Sequence, residues 1–60
     1  SKAEAKILGA MTKLNQAMAY TENDTSMPIE EKRKQMEELL AMKRNILDMG
    51  MGVIKKVEED

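Results

Sequence analysis

The side chains in this chain that could do chemistry are carboxylates, amines, hydroxyls and one phenol, and their spacing decides what they can do together. Two acidic pairs, Glu30-Glu31 and Glu37-Glu38, have the composition of a general acid and base. Adjacent positions on a helix point about 100° apart, however, so neither pair converges on one substrate atom. The acidic stretch from Glu22 to Ser26 suggests a calcium loop but lacks the alternating Asp run, the central Gly and the closing Glu. It reads instead as a turn whose side chains bond their own backbone. Asn23-Asp24-Thr25 is formally a glycosylation acceptor, yet no signal-peptide pattern accompanies it. Lys32-Arg33-Lys34 and Lys43-Arg44 could meet phosphates, but they are spread around a helix and interleaved with glutamates, which denies them a continuous basic stripe.

Composition narrows the chemistry further. The chain has no His and no Cys, which removes the usual zinc and copper ligands, thiolate nucleophiles and disulfides together. No catalytic constellation, metal site or cofactor is expected, and the chain is read as a non-enzyme. The net charge of −1 alternates in blocks: +2 over residues 1–20, −4 over 21–31, +3 over 32–44 and −2 over 45–60. That alternation suits solvated helices that pair their charges, so nucleic acid is an improbable partner. No stretch reaches the apolar length of a membrane span. Lys55 and Lys56 beside apolar neighbours could lie on a membrane surface, but the ending Glu58-Glu59-Asp60 opposes that.

The elements that must carry these residues are two amphipathic helices. Ser1-Lys2-Ala3-Glu4 is a capping-box pattern, and Ala3, Ile7, Ala10, Met11, Leu14, Ala17 and Met18 follow at spacings of three and four. The first helix is predicted over about 2–21. Asn23-Asp24-Thr25-Ser26 ends it, giving a loop over about 22–27 with Ser26 or Met27 as the next cap. Pro28 suits the first turn of a second helix, predicted over about 28–57, with Glu30 and Glu31 on the favourable side of its dipole. Leu39, Ile46 and Val53 run beside Leu40, Leu47 and Ile54 as a double row at heptad spacing. Gly50 and Gly52 each weaken a helix by about 1 kcal/mol, so Met49 to Gly52 is the expected kink or early end, and which of the two stays open.

These lengths predict an all-α, antiparallel two-helix hairpin with a longer second helix, a single unit over residues 1–60. At about 1.5 Å per residue the helices would be roughly 30 and 45 Å long. Folding about Asp24 pairs residues whose numbers add to about 49, setting Leu14 near Met36 and Ile7 near Met42, with everything beyond about Asp48 overhanging. The hairpin core is assigned to Ile7, Met11, Leu14, Met18, Met36, Leu40 and Leu47. Val53, Ile54 and Val57 are assigned to a partner interface. Seven methionines and no Phe or Trp make the packing adaptable. So thin a hairpin has no second layer, and completion by an oligomer or another protein is the physical expectation.

The segment from Met18 to Gly50, "TENDTSMP" followed by "IEEKRKQMEELLAMKRNILDMG", resembles a helical hairpin found in the large polyvalent and internal virion (ejection) proteins of short-tailed phages. There, a short helix and an acidic turn precede a Ser/Pro-x-Glu-Glu-Lys-Arg start. Here Pro28, Glu30, Glu31, Lys32 and Arg33 match that start, and Leu39, Leu40, Ile46 and Leu47 match its apolar row. The resemblance implies a structural role, a packing or docking segment in the virion or in the channel built for DNA ejection, with other virion proteins or further copies as partners. The alternative is a small dimeric four-helix regulator, cytoplasmic, that binds nucleic acid or protein.

Overall fold

In the computed structural model the protein is an all-α helical hairpin: α1 runs Lys2–Asn23 and α2 runs Ile29–Glu59. The structure describes residues 1–59, and the side chains of all of these except Val53, Ile54, Val57, Glu58 and Glu59. The molecule is a flat rod with principal extents of 49 × 15 × 9 Å.

α1 starts where its cap chemistry dictates. The Ser1 hydroxyl accepts from the Glu4 N–H at 3.3 Å, and the Glu4 carboxylate reaches back to the Ser1 ammonium at 3.4 Å, so orphan donors of the first turn are met reciprocally. The helix ends at Asp24, whose backbone is extended (φ −75°, ψ 106°). The next turn is local: the Asp24 carboxylate accepts from both the N–H and the hydroxyl of Ser26, at 2.9 and 2.6 Å. Ser26 is therefore occupied by this turn and does not cap α2. Pro28 holds the position before the first helical residue, and its carbonyl accepts the Lys32 N–H at 3.0 Å.

The register differs from the one predicted by folding about Asp24. Gln35 meets Thr21, Lys43 meets Asn15, and Gly50 meets Ile7, pairs whose numbers add to between 56 and 58. Leu14 is thus level with Lys43 rather than Met36, and Ile7 with Gly50 rather than Met42. The shift arises in the loop, since α1 runs on to Asn23 and the arm from Asp24 to Pro28 rises past its end before α2 turns back. In consequence the expected overhang beyond Asp48 shrinks to the last few residues of α2. Lys2, the first residue of α1, stands level with about residue 55.

α2 continues as helix through Gly50 and Gly52 to Glu59, so neither glycine ends it. Gly50 is buried against α1, and a Cβ built on it would stand 3.2 Å from Ile7 Cγ2. The two helices approach closely there because that position has no side chain. Gly9 and Gly52 face open space.

The seam between the helices is formed on α1 by Ile7, Ala10, Met11, Leu14, Ala17, Met18 and Thr21, and on α2 by Lys32, Met36, Leu39, Lys43, Ile46 and Gly50. Leu40 and Leu47, expected in the core, are instead 50% and 48% exposed. A helix with a single neighbour can bury one stripe. Leu39 and Ile46 occupy it, and the residues that follow them fall about 100° around, on the flank. Among the described residues no apolar side chain is fully buried; Thr21, at 1% exposure, is the one buried side chain.

Candidate interaction surface

The described residues contain no group of three or more acidic, His or Cys side chains that could hold a metal ion, and the depressions on the hairpin are open to solvent. No helix among the described residues is long and apolar enough to cross a membrane.

At the loop end the contacts are polar. Thr21 Oγ1 accepts from Gln35 Nε2 at 3.1 Å, and the Lys32 ammonium donates to the Glu22 carbonyl at 2.9 Å. The last turn of α1 has no basic residue of its own, so Lys32 supplies from α2 the positive charge that the free carbonyls of a helix C-terminus favour. The hydroxyl and N–H of Ser26 hold the Asp24 carboxyl below its ordinary pKa. These contacts fix the turn and leave little there for a ligand to satisfy.

On α2 the Arg33 guanidinium bridges Glu30 at 3.0 Å and Glu37 at 2.7 Å, and those carboxylates keep it firmly protonated. Being exposed, such pairs stabilise the helix only slightly. They also spend the cation that a phosphate would need. The Lys43 ammonium crosses the seam to Asn15 Oδ1 at 3.0 Å. The basic cluster of the sequence is thus largely engaged within the chain. The acidic pairs remain separate, with Glu30 and Glu37 on the Arg33 row and Glu31 and Glu38 lining the other flank.

What the hairpin does present is apolar surface. Leu8, Leu40, Met42, Leu47, Met49 and Met51 are all about half exposed or more. Leu40, Ala41, Lys43, Arg44 and Leu47 line an open depression of about 420 Å³ on α2. Of the residues assigned to the hairpin core, Ile7, Met11, Leu14, Met18 and Met36 are half-buried in the seam, while Leu40 and Leu47 belong to this outer surface. The side chains of Val53, Ile54 and Val57, assigned to a partner, lie outside the described residues. Thr21, Lys43 and Gly50 were not singled out by sequence for the seam. Their signal was the continuation of seven-residue spacing, Leu14 to Thr21 and Met36 to Lys43 to Gly50, in residues that are not apolar.

No protein-family model matches this chain, and no curated protein or solved structure is found to match it.

Proposed function

We propose that the chain is a protein–protein interaction module, a hairpin whose apolar surface is completed by another protein surface. One observation carries this: among the described residues no apolar side chain is buried, while seven large aliphatic or methionine side chains on the two helices stand about half exposed or more. A chain that folded to be stable alone would bury its apolar groups, since their removal from water is the main force available to a domain with no disulfide or metal.

The resemblance of residues 18–50 to phage virion hairpins supplies the setting, a packing or docking segment of an internal or DNA-ejection protein of the particle. Of the alternative, a small dimeric four-helix regulator binding nucleic acid or protein, the nucleic-acid form gains nothing from the charged surface, because Arg33, Lys32 and Lys43 are engaged within the chain. The intact mass of the native polypeptide tests the setting. A polypeptide many times larger than 6.8 kDa that is recovered from virions supports it, and a free chain of 6.8 kDa in the cytoplasm overturns it. The module reading itself is tested by the thermal unfolding of the dilute, monomeric 60-residue chain, followed by circular dichroism. A broad, low-temperature loss of helix is expected, whereas a sharp cooperative transition above about 60 °C would show a self-sufficient fold.

A further inference from the structure

Most of the exposed aliphatic and methionine surface gathers on one side of the hairpin. In an antiparallel helix pair, the flank just after the seam on one helix lies on the same side as the corresponding flank on the other. Met11 and Met18, half-buried at that edge of the seam, form it on α1, and the half-exposed Leu40 and Leu47 form it on α2. In the observed register Met18 is level with Leu40 and Met11 with Leu47. Lys43 reaches Asn15 on this same side, between the two apolar layers. Leu8 and Met51, 67% and 65% exposed, extend it toward the open end. The opposite broad side carries Met42 and Met49 among Glu31 and Glu38 on α2, and Lys6 and Lys13 on α1, so its large aliphatic and methionine side chains lie on one helix alone.

We propose that the side bearing Met11, Met18, Leu40 and Leu47 is covered by a second copy of this chain, α2 of each lying over α1 of the other in an antiparallel four-helix bundle. The proposal rests on the interaction-module reading and names its partner. Area is the first argument. A face of 49 × 15 Å projects about 700 Å², close to the roughly 800 Å² per partner that a stable protein pair covers. A single partner helix, about 10 Å across, would leave part of it wet. A second hairpin has the matching footprint.

Charge selects the stacking. Placing α2 on α2 about the midpoint of Leu40 and Leu47 would set Lys43 and Arg44 against their own copies, a like-charge contact. Placing α2 over the α1 of the second copy avoids it, lays the leucine flank on the methionine flank, and brings Arg33 within about one helical turn of the other copy's Glu22, twice by symmetry. Arg44, in no ion pair among the described residues, is left at the rim.

Sedimentation velocity of the 60-residue chain over a dilution series, with circular dichroism on the same samples, tests this. A species of twice 6.8 kDa is expected. The double substitution Leu40→Glu with Leu47→Glu should weaken association about 100-fold or more, because it puts charge at the centre of the face. Met42→Glu with Met49→Glu, on the other broad side, should leave it within a few-fold. A chain that stays monomeric and poorly helical at the highest concentration overturns the second copy and leaves the module reading standing. A monomer that is fully helical and melts cooperatively overturns both. Equal weakening by both double substitutions overturns the choice of face. Because the chain has no cysteine, mixed Met11→Cys and Leu47→Cys chains report the stacking. A disulfide between them is expected, while a disulfide between Leu40→Cys and Leu47→Cys chains instead would overturn it.

Discussion

At the loop end of this hairpin the helices are joined by polar groups: Gln35 on Thr21, Lys32 on the Glu22 carbonyl, and Ser26 on Asp24. At the open end they are joined by a missing side chain, since Ile7 packs into the space that Gly50 leaves. The loop end has direction and donor–acceptor matching, so it fixes register. The open end has only shape, so it fixes distance. A two-helix unit with no fully buried apolar side chain among its described residues needs both, because its sliding and its splaying are opposed by different contacts.

The sharpest way to break this contrast is to fill the open end. Gly50→Val adds branched bulk where a Cβ alone would already stand 3.2 Å from Ile7 Cγ2, and is expected to cost about 2 kcal/mol through overpacking. That corresponds to a fall of about 10 °C or more in the melting midpoint of so small a chain, read by circular dichroism at fixed concentration. Gly52→Ala, two residues on and facing open space, should do the reverse and stabilise by about 1 kcal/mol of helix propensity. An unchanged midpoint for Gly50→Val would show that the helices do not meet at Ile7.

The loop end should fail more gently. Thr21→Ala removes the acceptor for Gln35 and truncates the one side chain buried among the described residues, for a loss of about 1.5 kcal/mol. Thr21→Ser keeps the hydroxyl and should lose clearly less. Lys32→Met keeps most of the stem but withdraws the ammonium from the Glu22 carbonyl, at a cost of about 0.5 kcal/mol. The wild-type chain should also lose stability with added salt more steeply than this variant. Parallel salt curves would show that the Lys32 contact contributes no charge-dependent stability.

The contrast also explains what was legible in the sequence. Ser1 and Glu4 announced the start of α1, and its stripe from Ile7 to Met18 was plain, because those signals are local and written in residue types. The double row of Leu39-Leu40 and Ile46-Leu47 was ambiguous for a physical reason: both rows are apolar, and only the position of the single neighbour decides which is covered. Lys43 and Gly50 were passed over because an apolar stripe is read in apolar letters, whereas one seam position here is filled by a lysine that swings out to Asn15 and another by no side chain at all. The register was misjudged because residue count does not say how far an extended loop climbs before the chain turns back. Gly50 looked like a helix breaker for the same reason that it is useful, its lack of a Cβ.

Acid should loosen the loop end first. The Ser26 hydroxyl and N–H favour the ionised Asp24, so its folded pKa lies below the ordinary 3.8. The unfolded chain therefore takes up this proton more readily than the folded one. The stability gained from Asp24 is whole above about pH 5, begins to fall as the pH drops through 3.8, and is gone once the pH has passed below the lowered folded value. Asp24→Asn cannot titrate, so the gap in melting midpoint between it and the wild type should be constant near neutrality and should narrow below about pH 4. Because the group is exposed, the whole effect should be smaller than that of any substitution above. A gap that held its full size to pH 2 would mean that the Asp24 turn contributes through its shape alone, leaving Thr21, Gln35 and Lys32 as the contacts that set the register.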